Sequence, residues 1–494
     1  MLETIRRSRL PMNNPYNHAK KRAWLSLSLL AVCGIALVLI YPDGFQQDSG
    51  YHFLFSRWGW KYPYMFVGVW ARPLYTFLYG FPALIGYQAA RYFTVLISVA
   101  VAWQTWRLAR DMRLERPWLA VPLIAAQPSF FILMPDLLTE PLYALVFVLA
   151  IRLHLRGKVK LGMLLASFML LARPEGFFHG VMWGIWVLFD KRVSPVFWRR
   201  LPASLLLATG GIVWWLSAWI ITRDPLFIKH NWPQQWHEGI YGSGIPFEYI
   251  MRLPEITGLL LLIPFLVGLV RMLRAREFGP VTSSFLLLFL LHLIFRTLGV
   301  FGDAGYPRYM VCVAPAIAVI TLKGWNLIAE KLESRRLRLA TGTVVMVISL
   351  MICLVYMDGL IWIRDTSAVK DAYAWFREHP RPVTGFLWSH TYMAVLFDRC
   401  PTDRPDMGES REASMRVLSS QPEGTLVFWD AEIGPAWYHL TDKDIEAAGY
   451  QRLFSRKYEL RGRILGDIPF KYGGIRKQEM HLFYRDRAPL RAGQ

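Results

Sequence analysis

The apolar residues of this 494-residue chain are gathered into runs of roughly 15 to 20, close to the length a helix needs to cross about 30 Å of hydrocarbon. Runs of this kind have one common solution in lipid, a bundle of spanning helices, because a helix satisfies its own backbone hydrogen bonds where no water is available. With 54% hydrophobic and only 19% charged residues, the chain is too apolar for an ordinary water-soluble enzyme. The expected fold is an α-helical multi-pass membrane protein with about 11 transmembrane helices. Their approximate limits are 23–41, 89–106, 118–134, 137–151, 159–172, 177–189, 201–221, 256–270, 281–297, 309–322 and 339–357. The first run is followed by Pro42-Asp43-Gly44 rather than a small-residue cleavage site, so it reads as a retained span.

The formal charge of +20 would suggest nucleic acid in a soluble chain, but its distribution argues against that. Arg6, Arg7, Arg9, Lys20, Lys21 and Arg22 precede the first span, and further clusters follow every second one. These are Arg107 to Arg116, Arg152 to Lys160, Lys191 to Arg200, Arg271 to Arg276 and Lys323 to Arg338. All fall on one side, which the positive-inside rule assigns to the cytoplasm. The expected location is the inner (plasma) membrane, with a cytoplasmic N-terminus and a periplasmic C-terminus. The four cysteines indicate neither a disulfide framework nor a zinc site.

After residue 357 the character changes. Charges become frequent and apolar runs shrink to strand length, so residues 1–357 are expected to form the transmembrane part and 358–494 an outward-facing soluble α/β domain. Ala368 to His379 has helical spacing, while Thr425 to Trp429 and Met480 to Tyr484 have the β-branched and aromatic enrichment of buried strands. Thr441 followed by Asp444 resembles a helix start, and Gly449 a stop.

The chemistry-bearing residues lie in the outward loops. The first, residues 42–88, holds Asp43, Asp48, Tyr51 and His52 before a dense aromatic stretch, then Arg72-Pro73-Leu74-Tyr75. A carboxylate just beyond a span, under an aromatic layer, suits a general base tuned by partial desolvation. Asp43 equally suits a turn with Gly44, and Asp48 the start of an amphipathic interfacial helix. Asp136 and Glu140 share a very short second loop, and Arg173-Pro174-Glu175-Gly176 breaks an apolar run at the same depth. Ionisable groups there are expensive unless partnered or lining a wet cavity, so both a site and a structural Arg–carboxylate pair are open readings. Lys229, His230, Arg308 and Tyr309 add cations and rings in two later loops, suited to a phosphate carrying a sugar, or to interfacial anchoring. His230 and His237 are too loosely spaced for a metal site. No cofactor or metal is expected, and the sequence leaves divalent metal dependence open.

In this order, the motifs resemble those of the C-type glycosyltransferase superfamily, membrane enzymes that use polyprenyl-phosphate-linked sugars. The nearest look-alikes are bacterial relatives of protein O-mannosyltransferases and of the lipid A aminoarabinose transferase. Asp48 with Tyr51 is similar to the acidic motif of the first outward loop, which implies that Asp48 is catalytic. Arg72-Pro73-Leu74-Tyr75 looks like a variant of the His-Pro-Pro segment. Asp136 and Glu140 correspond to the short second loop, Arg173-Pro174-Glu175 to the Arg-Pro-Glu turn, and Arg308-Tyr309 to the late Arg-Tyr. Ser49 follows Asp48 where the family has a second acid, and Arg72 replaces the usual His.

The resemblance implies transfer of a monosaccharide from a polyprenyl-phosphate donor to a lipid, glycan or protein acceptor on the periplasmic face, with inversion. Asp48 is the expected base, and Arg72, Arg173, Lys229, His230, Arg308 and Tyr309 the expected donor contacts. Asp43, Tyr51, His52, Asp136, Glu140 and Glu175 are further site candidates. The alternative is a transporter or flippase of a polyprenyl-linked glycan, since broken helices and intramembrane charge also mark transport paths.

Overall fold

The computed structural model describes residues 15–44, 46–191, 193–233, 241–277, 279–360, 366–405, 407, 410–461, 463–464 and 477–486. Arg6, Arg7, Arg9, Arg192, His237 and Glu238 lie outside them. The chain is mostly helical with one small sheet. Among the described residues, five helices are long and apolar enough to cross a membrane: Ala19–Ile40, Phe197–Thr222, Pro280–Leu298, Pro307–Glu330 and Arg335–Gly359. Large apolar side chains along them remain exposed, including Leu25, Leu29, Val344, Val347 and Met351, as a surface facing hydrocarbon requires.

Several of the other apolar runs are shorter or broken, for local reasons. The 118–134 run divides into Ala120–Ala125 and Pro128–Leu133, where Pro128 starts a new helix and the Gln127 amide turns inward to donate to the Ala314 carbonyl at 3.1 Å. The 159–172 run divides into Val159–Ala166 and Met169–Ala172 before Arg173 extends at φ −159°. Gly258 at φ 95°, which only glycine adopts without strain, separates Leu253–Thr257 from Leu262–Arg274. Gln47–Trp58, the short 3-10 helix Pro63–Phe66 and Pro73–Ile85 fold back on one another within the 42–88 segment, so it is helical rather than an open loop.

The C-terminal unit has strands β1 (Gly385–Trp388), β2 (Thr425–Asp430), β3 (Gln451–Glu459) and β4 (Lys477–Tyr484) in the order β1-β2-β4-β3. β1 and β2 are parallel; the other pairs are antiparallel. β2 is buried at all its positions, as its uninterrupted Thr-Leu-Val-Phe-Trp run predicts. The helix expected from Ala368 spans Ser367–Glu378, and Thr441 caps Asp442–Ala447 with a reciprocal Thr441–Asp444 capping box.

This unit rests on the segment after the first long helix. Thr391 donates from its backbone N and its hydroxyl to Gln47 Oε1 at 2.9 and 2.7 Å, and Asp398 pairs with Arg57 at the far end of the same helix, 2.7 Å between Nη2 and Oδ2. Lys370 pairs with Asp43, Thr366 donates to the Asp43 carbonyl at 2.8 Å, and Tyr41 donates to Asp358. The apolar core is continuous from the membrane helices to Phe386, Leu426 and Phe428 of the sheet.

Candidate functional site

Gln46, extended at φ −115°, is the N-cap residue of the Gln47–Trp58 helix, which puts Asp48 in the first turn, where a carboxylate is favoured by the helix dipole. Asp48 Oδ2 accepts from Arg308 Nη2 at 2.6 Å, and the Asp48 side chain stays 44% exposed while that of Arg308 is only 7% exposed. The carboxylate therefore stands at a mouth, with the guanidinium behind it. The surrounding protein raises the Asp48 carboxyl, and Arg308 more than cancels that, holding the group below the ordinary carboxylate range.

Gln46 links this pair to the second loop. Its Oε1 accepts from Arg308 Nη1 at 2.9 Å while its Nε2 donates to Asp136. Ser49 Oγ and the Leu137 backbone N also donate to Asp136 Oδ1, at 2.6 and 2.7 Å, so this buried carboxyl is satisfied by neutral donors. Arg91, 1% exposed, fastens the same loops by donating to the carbonyls of Tyr41 at 2.7 Å, Pro42 at 3.1 Å and Pro135 at 2.9 Å.

Behind Arg308 lies a second layer. Arg308 Nε is 3.9 Å from Glu140 Oε1, and Arg173 Nη1 is 2.8 Å from the same oxygen. Arg173 also pairs with Glu175 at 2.7 Å and donates to Thr139 Oγ1 at 3.1 Å. The break at Pro174 is what lets residues 173 and 175 point back into this layer instead of following a helix to the lipid. Arg173 lies over the Tyr309 ring at 5.2 Å and Arg308 over Tyr306 at 4.9 Å. Burial raises the Glu175 carboxyl, but Arg173 and then His292 outweigh it and hold the group at about 2. His292, stacked on Tyr309 with ring centres 5.1 Å apart, joins the layer to Asp303 at 2.7 Å.

The third cation is Arg72, buried and held at φ 62° ahead of Pro73. Burial first, and the charge of Arg173 second, lower its guanidinium to about 10. The two guanidinium groups repel within a buried layer where Glu175 and Glu140 offset part of that repulsion. His52, one turn after Asp48, packs against Trp70 and Tyr75 with ring centres at 5.9 and 5.3 Å. Burial and then Arg72 lower its imidazole to about 3, so it is neutral at working pH.

That shift has a measurable consequence. The unfolded histidine titrates near 6.5, so between pH about 6.5 and about 3 the unfolded chain binds the extra proton, and stability drops by about 1.4 kcal/mol per pH unit as pH falls through that window. His52→Phe, which keeps an aromatic ring, is expected to flatten this acid-side loss when detergent-solubilised protein is melted at pH 5 and 7.5. Equal slopes for both proteins would show that His52 is solvated or charged in the fold.

The structure thus brings Asp48, His52, Arg72, Asp136, Glu140, Arg173, Glu175, Arg308 and Tyr309 together. Asp43 is turned away: its turn closes through Gly44 N to the Tyr41 carbonyl at 3.0 Å, and its carboxylate meets Lys370. Lys229 and His230 lie on an exposed helix, Phe227–His230, where His230 faces Asp224 at 2.7 Å and the next residue, Asn231, accepts from Val69 N at 2.8 Å. Tyr51 packs on Trp70 at 4.8 Å and shares a hydrogen bond with Tyr438 of the C-terminal unit. Gln46, Ser49, Arg91, His292 and Tyr438 were not legible as site residues. Arg91 and His292 did carry a signal, as ionisable groups inside apolar runs.

These features define a multi-pass membrane protein with a buried ion network beneath an α/β unit. The sequence matches no protein-family model and no curated protein. Among solved structures it has the fold of ArnT from Cupriavidus metallidurans, with a TM-score of 0.58 to the apo state at 13% identity, covering 93% of this chain and 98% of that one. The structure of that protein bound to undecaprenyl phosphate gives 0.57 at 12% identity, covering 91% and 97%. At these identities the likeness is one of fold, and it extends over nearly the whole of this chain.

Proposed function

We propose that the chain is a membrane glycosyltransferase that moves a monosaccharide from a polyprenyl-phosphate carrier to an acceptor on the outer face of the inner membrane. The observation that carries this is the half-open Asp48 carboxylate paired with Arg308, backed by the guanidinium groups of Arg173 and Arg72. An acceptor hydroxyl gives its proton to Asp48 as its oxygen bonds to the anomeric carbon. The bond from that carbon to the phosphate oxygen breaks, and the lipid phosphate leaves with the electron pair, its charge stabilised by Arg308, Arg173 and Arg72. A single displacement inverts the anomeric configuration. No metal or cofactor enters this scheme, and Lys229, His230 and Tyr309 contribute at the donor side.

The topology in this reading is about eleven spans, counting broken helices, with the basic clusters in the cytoplasm and residues 358–494 outside as a soluble domain. Tyr438 beside Tyr51, and Trp437 edge-on to Tyr241 at 6.3 Å, place aromatic surface from that domain at the mouth, where it would receive a sugar-bearing acceptor. ArnT bound to undecaprenyl phosphate supports a polyprenyl-phosphate partner.

Two experiments test this. Alkaline phosphatase fused after Gln494 should be active and a fusion after Lys160 inactive; the reverse pattern would place the site in the cytoplasm. Purified protein incubated with radiolabelled polyprenyl-phosphate sugars should cleave one of them and release the polyprenyl phosphate. Label that crosses a vesicle bilayer still attached to its carrier would make the chain a transporter.

A further inference from the structure

A cavity of about 700 Å³ opens at the end of the bundle opposite the ion network, between the helices Ala19–Ile40, Leu262–Arg274, Ala314–Glu330 and Arg335–Gly359. The placement follows from the chain direction. The last turns of the first and last of these helices meet through Tyr41 and Asp358, so Arg22, Arg335 and Arg338 at their beginnings lie at the other end, roughly 28 Å away at 1.5 Å per residue. Arg22 stacks over Trp118 at 5.4 Å, which brings Arg116 to that end as well.

The cavity wall is apolar, with Leu30, Phe131, Leu261 and Met346 along it, and four guanidinium groups at its rim. Among the described residues no ion pair joins Arg22, Arg116, Arg335 or Arg338 to a carboxylate, and Arg338 Nε is buried without a hydrogen-bond partner. Four cations from three separate segments line a mostly apolar trough, with Ser26 and Thr343 among its walls, and no described carboxylate pairs with them. Such an arrangement is complementary to one kind of molecule, an anionic lipid with its headgroup at the rim and its chains along the wall.

We propose that this cavity binds an anionic glycerophospholipid of the phosphatidylglycerol class, its phosphate held by Arg22, Arg116, Arg335 and Arg338 and its acyl chains lying between the first and last spans. The site is separate from the ion network around Asp48 and does not depend on the glycosyltransferase reading. It commits the last span, which packs loosely and carries the outward unit after it, to a lipid-dependent position. Glycine at position 342 keeps the wall open. A Cβ there would stand 3.0 Å from Trp325 Cζ2, so a large side chain must displace Trp325 or enter the trough.

The test uses full-length protein in neutral detergent and native mass spectrometry with phosphatidylglycerol, phosphatidylcholine or polyprenyl phosphate added back. Phosphatidylglycerol should be retained about tenfold over phosphatidylcholine, and the double variant Arg335→Gln/Arg338→Gln should lose that preference. Arg336→Gln, on the same helix but outside the cavity, should keep it. Gly342→Phe should lower retention with the charge unchanged, and inorganic phosphate should fail to displace the bound lipid. Equal retention of the two phospholipids by the unaltered protein overturns the proposal. So does preferential retention of polyprenyl phosphate that the arginine or Gly342 variants abolish, because the cavity is then a carrier-lipid site. Displacement by inorganic phosphate overturns it too, since the rim alone would then be the site.

Discussion

Asp48→Asn is expected to lower sugar transfer by about 10²- to 10⁴-fold while the donor remains bound. The amide keeps the size of the carboxylate and still offers Arg308 an oxygen at the position that now accepts from Nη2 at 2.6 Å, but it cannot take the acceptor's proton. Arg308 holds the carboxyl below the ordinary range, so Asp48 is ionised at any working pH and transfer should not be lost as pH falls to 5 through protonation of the base. Asp43→Asn is the internal control. Its carboxylate faces Lys370, so this change should loosen the seat of the C-terminal unit and lower the melting temperature while leaving per-molecule transfer within about threefold, as a partly exposed ion pair allows. If the Asp43 variant is inactive and the Asp48 variant active, the base is misassigned. If both transfer sugar normally, Asp48 serves only as the counter-ion of Arg308.

The difference between these two aspartates illustrates what a linear sequence conveys. Both stand in the segment after the first apolar run, beside turn-forming residues, and each had a local explanation as a cap or a turn. Only the fold separates them, because Arg308 and Lys370 arrive from segments 260 and more than 300 residues later. Patterns that depend on near neighbours were legible: the apolar runs, the Thr441 cap, and the strands at Thr425 and Met480. The break at Arg173-Pro174-Glu175 was legible for the same reason. Features set by distant partners were not. Gln46 reads as an ordinary polar loop residue, yet its amide joins Arg308 to Asp136 across two loops. β1 and β3 were missed because Gly385–Trp388 is only four residues long and β3 is largely exposed, so neither has a periodic apolar signal. Within residues 42–88 the helix starting beside Asp48 was one open reading, whereas Pro63–Phe66 and Pro73–Ile85 were obscured by aromatic residues placed for burial against one another rather than along a single face.

Arg173→Ala should cost more than any other single change in the ion network, about 3 to 5 kcal/mol of stability, because it strands buried charge. Glu140 is 1% exposed and has its 2.8 Å contact with Arg173, whereas Arg308 Nε stands 3.9 Å from the same oxygen. Glu175 loses the main charge that holds it ionised. Lost activity in this variant would therefore say nothing about donor binding. The informative protein is the triple variant Arg173→Ala/Glu140→Gln/Glu175→Gln, in which the uncompensated charges are removed together and most of the stability should return, as when a buried ion pair is replaced by neutral groups. In the donor-binding reading, that refolded variant still binds a polyprenyl-phosphate sugar more weakly by about 1 to 3 kcal/mol, the contribution of a charged hydrogen bond to phosphate. Melting curves with and without donor separate the two effects. Recovery of stability together with full donor affinity would make Arg173 a structural counter-ion and leave Arg72 and Arg308 as the cations that meet the leaving phosphate.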